Sequence, residues 1–174
     1  KSMSSTRSGD NSTSTFNANT KLVYHMSENA ANTTVADSTS GANTGTASAN
    51  TDTIDGTGKI DGGFVVTTQF VDVANESNFD FERTQAFSIS VWLNYTGGGG
   101  SLAVWSKEST TGNAPGYILN IDRDNERPRF FLLGTGGAAL TQQGGTSTIS
   151  SGSFHHVVVT YDGTANYARI ESGQ

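Results

Sequence analysis

Cysteine is absent from the 174 residues, and proline occurs only twice. No disulfide can staple the chain and no thiolate can hold a metal, which leaves the redox compartment open. Charge is scarce as well. Asp, Glu, Lys and Arg make up 15% of the chain, and the ten basic residues are scattered under a net charge of -6. A nucleic-acid surface needs clustered Lys and Arg, so nucleic acid is excluded as a partner. No run approaches the ~20 apolar residues of a membrane-spanning helix, and membrane insertion is not expected. A helical period is hardly found anywhere. What is present in quantity is Gly, 21 residues of it, with abundant Ser, Thr and Asn beside 33% hydrophobic residues. That balance suits a β-sandwich with long polar loops, in a chain long enough for a sizeable core. It is also the composition of microbial surface and virion proteins.

The most informative stretch runs from Phe64 to Tyr95. Phe87, Ile89, Val91 and Leu93 alternate with Ser88, Ser90, Trp92 and Asn94. Period two places the first set on one buried face of a strand and Trp92 on the other. Gln69 to Val73 reads as a shorter strand of the same kind. Asn75 to Asn78 supplies turn chemistry before Phe79 and Phe81 return to the core. Further strands are expected at Leu22–Met26, Ser101–Ser106 and Phe154–Tyr161, with a weak one at Ala138–Thr141. Gly116–Ile121 and Arg129–Leu133 form a hairpin around Asp122–Arg127. A last turn at Asp162–Asn166 leads into Tyr167–Ile170. Strands spaced by turn signals imply an all-β, antiparallel, jelly-roll-like β-sandwich with essentially no helix.

Residues 1–20 are Ser/Thr/Asn-rich with a single Phe and read as a linker or the tail of a preceding domain. Residues 21–174 read as one sandwich domain. Within it, Ser27 to Gly63 is nearly devoid of large apolar residues. A loop of that length is uncommon unless it is functional or held by an ion.

Five pieces of the chain resemble, in order, the laminin-G-like domains of the concanavalin A-like lectin/glucanase superfamily. They are Tyr24-His25-Met26 with the Asp37 to Gly45 loop, Gly58 to Phe64, Phe70 to Val73, Ser77 to Asp80 with Phe87 to Trp92, and Phe154 to Gly163, where Phe154 stands for the family's usual Trp. The resemblance implies a concanavalin A-like fold. It also implies a non-catalytic module for glycan binding or adhesion, outside the cell, at its surface or on a virion. Its partners would be a glycan or a surface protein. Lys1 in place of Met, and an ending on Arg169–Gln174 where the family's strands normally continue, suggest a fragment lacking its final strands. Completion of an open sheet edge by another chain, as in a virion or filament subunit, is then the structural alternative.

Candidate chemistry is sparse. Asp122, Asp124 and Glu126 invite comparison with the carboxylate strand of glucanases. A retaining glycosidase needs two carboxyls about 5–5.5 Å apart, whereas i and i+4 on a strand lie roughly 13 Å apart. Interleaved Arg123, Asn125 and Arg127 make a solvated hairpin tip the stronger reading, and a glycoside hydrolase or lyase the weakest of three alternatives. Asp37, Asn43 and nearby carbonyls offer the oxygen set that hard cations prefer, so Ca²⁺ is the one cofactor expected. Asp52, Asp55 and Asp61 are weaker candidates. His25, His155 and His156 lack metal spacing, and His155 and His156 point to opposite faces. Trp92, Tyr95, Trp105 and Tyr117 are the candidate sugar-facing aromatics, each offering an apolar ring and a polar handle. For Trp92 the alternative is packing under a loop or against the other sheet. Asn11, Asn32, Asn75 and Asn94 each open an N-x-S/T sequon.

Overall fold

Strict alternation along the longest strands decides the layers. In a computed structural model of the chain, residues 16–60, 62–107, 115–136, 138–164 and 168–173 are described. Most of the expected linker, Asp61, Asn11 and the turn residues 165–167 lie outside them. The chain divides into two compact units, Lys1–Phe79 and Asp80–Gln174, and the division falls inside the segment that the sequence presents as one domain.

The second unit contains β6 (Phe87–Leu93), β7 (Ser101–Lys107), β8 (Gly116–Asp122), β9 (Arg127–Leu133), β10 (Ala139–Gly144), β11 (His155–Tyr161) and β12 (Ala168–Gly173). All pairings are antiparallel. One sheet has the order β10-β9-β8-β7 and the other β12-β11-β6. Tyr117, Leu119 and Ile121 of β8, Phe130 and Leu132 of β9, and Val157, Val159 and Tyr161 of β11 are all buried in one cluster. Phe87, Ile89, Val91 and Leu93 of β6 pack against it. The two sheets therefore face each other over a common core, as a β-sandwich does. The Phe87 ring reaches across it, with centroids 4.8 Å from Tyr117, 6.0 Å from Phe130 and 5.6 Å from Tyr161. Aromatic pairs at such spacings add to plain area burial. Gly163 turns the chain after β11 at φ +83°, where a Cβ would lie 2.5 Å from the Thr84 carbonyl oxygen. Only glycine meets both conditions at low cost.

The first unit contains β1 (Thr34–Val35), β2 (Gly45–Ala47), a one-turn helix α1 (Thr51–Ile54), β3 (Asp55–Thr57), β4 (Gly62–Phe64) and β5 (Val71–Val73). β1-β2-β5 form one sheet and β3-β4 another. Val35, Ala47 and Ile54 are its buried cluster, joined by half-buried Tyr24, Met26, Ala49, Phe64 and Val71.

Several expectations are corrected here. Leu22–Met26 is not a strand; only Tyr24 bridges, to Asp37. Ser27–Gly63 is not one long loop, because its short strands pair through backbone groups and need little apolar alternation. The strand expected from Gln69 begins at Val71. The Gln69 side-chain oxygen takes the amides of Thr67 and Thr68, turning the chain there and leaving Phe70 exposed. The Asn75–Asn78 turn is a 3₁₀ turn over Glu76–Phe79 that buries Phe79 while Phe81 packs on the sandwich core. No helix among the described residues is long and apolar enough to cross a membrane.

Candidate functional site

The four aromatics separate sharply. Tyr95 is 4% exposed, and its hydroxyl donates to the Ile149 carbonyl at 2.7 Å. Tyr117 is a core residue, and burial pushes its hydroxyl up to about 12. Trp105 is half-buried against the same cluster. The expectation that Tyr95, Trp105 and Tyr117 face a ligand is corrected on this ground: Tyr95 and Tyr117 are buried in the sandwich core and Trp105 packs against it.

Trp92 is the exception. It stands on the outer face of β6, 36% exposed, in the phase opposite to the core residues. The register of β6 and β11 sets it directly against His156. The two rings stack at 4.9 Å with 20° between planes. Ser90 Oγ lies 2.8 Å from His156 Nε2, which braces the imidazole beneath the indole. Ser88 and Thr160 continue the same exposed face, paired across the two strands. The result is a rigid aromatic shelf bordered by hydroxyls. Sequence reasoning found Trp92 but not its partner, because no local pattern fixes which residue of a distant strand lies opposite.

His155 points inward, is buried, and has Nε2 3.0 Å from the Ser150 carbonyl oxygen. The described residues contain no group of three His, Cys, Asp or Glu placed to hold a metal.

Asp37 and Asn43 do come together, as a clasp. Asp37 Oδ1 accepts from the amides of Val23 and Thr39, both at 3.0 Å. Its Oδ2 accepts from the Thr39 hydroxyl at 2.8 Å and the Asn43 amide at 2.9 Å. An ionised carboxylate offers about four lone-pair sites, and all are filled. Burial alone would raise the Asp37 carboxyl, but the amides of Thr39, Val23 and Asn43 outweigh it and hold the group below its ordinary value. Asn43 is spent in the same way. Its Oδ1 accepts from Asn78 Nδ2 at 2.6 Å, its Nδ2 donates to the Lys21 carbonyl at 2.7 Å, and its carbonyl accepts the Tyr24 hydroxyl at 2.6 Å. Burial, then the charges of Asp37 and Glu28, push Tyr24 up to about 12, so it remains a donor. Gly45 makes room, since a Cβ there would sit 2.7 Å from the Tyr24 hydroxyl. A cation needs these same oxygens turned away from N–H and O–H groups. The set as it stands does not fit one.

The carboxylates at the β8–β9 hairpin are likewise committed. Asp122 is buried, unlike a solvated tip residue. Its Oδ2 takes Asn125 Nδ2 at 2.7 Å and pairs with Arg129, while Oδ1 takes the Asp124 amide at 3.1 Å. The Asn125 side chain first, with the Arg129 charge helping against burial, holds its carboxyl below the ordinary value. A general acid requires the opposite shift. Asp124 accepts the Gly100 amide at 3.2 Å, tying the Gly97–Gly100 loop to the tip. Glu126 is exposed, with φ at 52°.

Comparison with curated proteins and with solved structures returns no match. A laminin-G family model, described as the concanavalin A-like lectin/glucanases superfamily, matches residues 61–170, more than half of the chain, and the chain belongs to that superfamily.

Proposed function

We propose that the chain is a non-catalytic glycan-binding or adhesion module displayed outside the cell or on a virion surface. The observation that carries the reading is the Trp92–His156 shelf. An indole held flat by a stacked imidazole presents an apolar ring of the kind that the apolar face of a pyranose covers. Ser88, Ser90 and Thr160 stand ready for the sugar's equatorial hydroxyls. Superfamily membership supports a binding module in general and includes glucanases. The commitment of Asp122 and Asp124 to Arg129, Asn125 and Gly100 favours the binding side of that division.

A glycan array read with the native chain and with Trp92→Ala tests the proposal. Binding should fall at least tenfold in the variant, while stability should fall by about 0.5–1.5 kcal/mol, the worth of the lost stack, and leave the chain folded. Binding to no glycan, or binding indifferent to Trp92, would overturn it.

An assembly role rests on a separate observation. β6, seven residues long, ends the β12-β11-β6 sheet among the described residues. An open edge of that length is a template for a strand from another chain. Concentration-dependent self-association by light scattering, abolished by Ser88→Lys, which puts a charge on the exposed face of the edge strand and leaves the core residues in place, would favour that role.

A further inference from the structure

The register of β5 on β2 settles which of its main-chain groups are spent. Along an antiparallel ladder, opposed residues alternate between pairs that exchange both hydrogen bonds and pairs that exchange none. The Ser48 amide donates to the Phe70 carbonyl at 2.9 Å, so Ser48 and Phe70 are a bonding pair. Ala47 and Val71 come next and are non-bonding; the Ala47 amide accordingly donates to the Thr33 carbonyl, on the β1 side, at 2.8 Å. Thr46 then bonds with Asp72, and Gly45 does not bond with Val73. The N–H and C=O groups of Val71 and Val73 therefore point away from β2, toward an edge that no strand covers among the described residues.

The side chains narrow what that edge can accept. Val71 packs against Val35, Ala47 and Ile54, and Val73 shares its phase. Phe70 and Asp72 take the opposite phase. Phe70 is 56% exposed, and Asp72 is exposed with a carboxylate that has no partner among the described residues. A charge in the middle of an open strand keeps indiscriminate strands away. It also selects which strand is admitted, because opposite charges placed directly across a ladder attract and like charges repel. No Lys or Arg stands between Lys59 and Arg83, whereas Glu76 follows Asp72 closely. A second copy of the chain, at net charge -6, would bring the wrong sign.

We infer that the free edge of β5 receives an extended strand of a different protein, antiparallel to it and of the pattern apolar–basic–apolar. Val71 and Val73 each exchange both main-chain bonds with that strand. Its apolar residues lie opposite them, on the side of the first unit's core. Its basic residue lies opposite Asp72, in the non-bonding pair, where side chains stand closest. Phe70, two residues away on the same face, covers the aliphatic stem of that Lys or Arg. This edge shares no residue with the Trp92 shelf or with β6, so the inference does not depend on the glycan-binding reading.

The probe is a capped nine-residue peptide alternating threonine with valine and carrying lysine at its centre, beside a twin carrying glutamate there. Each is titrated into the ¹⁵N-labelled chain, native and Asp72→Lys. The expected result is a shift of the Val71 and Val73 amides with the lysine peptide and about tenfold weaker binding of the glutamate twin. Asp72→Lys should reverse that preference while leaving the amide spectrum away from β5 unchanged, since Asp72 is exposed. Equal binding of the two peptides, a preference unchanged in Asp72→Lys, or binding of neither would overturn the inference. So would shifts confined to β6, which would assign strand addition to the other edge. Concentration-dependent shifts at Val71 and Val73 without peptide would show that a second copy holds the edge, and would overturn it as well.

Discussion

Between Asp80 and Gln174 the sheets close on Phe130, Tyr117, Leu119, Ile121, Val157, Val159 and Tyr161, whereas among the described residues of the first unit the clustered core is Val35, Ala47 and Ile54. The second unit is ordered by burial, with aromatic rings crossing from one sheet to the other. The first has too little apolar surface for that, and one carboxylate does part of the same work. Asp37 gathers Val23, Thr39 and Asn43, and Asn43 in turn gathers Lys21, Tyr24 and Asn78. Segments with few hydrophobic residues can thus be fixed by saturating backbone amides, provided the acceptor is charged and every lone pair is used.

The largest expected effect lies on the burial side of this contrast. Phe130 is fully buried and touches the rings of Phe87 and Tyr117. Phe130→Ala should cost about 3–5 kcal/mol, the transfer term plus the cavity left behind. Urea unfolding followed by tryptophan fluorescence measures it, because Trp92 and Trp105 both belong to this unit. A loss below about 1 kcal/mol would mean that the aromatic core is not what holds the sandwich.

Next in size is the clasp. Asp37→Ala leaves the Val23 and Asn43 amides without their acceptor, and each such orphan costs about 1–3 kcal/mol when buried. Asp37 is only half-buried, so about 2 kcal/mol in all is expected. The carboxyl is held low in the folded chain, so its contribution is complete above the unfolded value near 3.9 and fades as pH falls through the lower folded value. Hydrogen exchange at the Val23, Thr39 and Asn43 amides should stay slow at neutral pH and lose protection below about pH 4. Asp37→Asn should flatten that pH response. Asp122 and Asp162 are held low as well, so a global acid melt would mix all three and the local amides are the proper readout. Protection unchanged down to pH 2 would show that Asp37 does not order the loop.

This contrast also explains what could be read from the residues alone. β6, β7, β8, β9 and β11 were legible because each carries a run of apolar and aromatic residues over seven positions, with strict alternation in β6. β1 to β4 were not, since two or three residues carry no period and Gly45, Thr46 and Gly62 carry no apolar signal. Leu22–Met26 misled for the opposite reason. Its apolar residues look like a strand, but Tyr24 serves the clasp. At the site, the outward phase of Trp92 follows from period two, while its stacking on His156 depends on register. Tyr95 and Tyr117 looked alike to Trp92 because a phenol buried in the core has the same letter as one facing solvent.

The smallest expected effect is the most pointed. A calcium ion takes six to eight oxygens, and the Asp37 to Gly45 loop presents Asp37 with both oxygens already turned to N–H and O–H donors. Binding there would require those donors to swing away, undoing the arrangement that fixes the loop. A bound ion at a hundredfold excess over its Kd would stabilise the folded chain by about 2.7 kcal/mol. At about 2–4 °C per kcal/mol for a chain of this size, that is a shift too large to miss. We expect the melting temperature in EDTA and in millimolar calcium to agree within error, and the native chain and Asp37→Asn to show the same null response. A calcium-dependent rise that vanishes in Asp37→Asn would overturn the clasp. It would mean that the four donors give way to a cation and that the first unit depends on something beyond its own side chains.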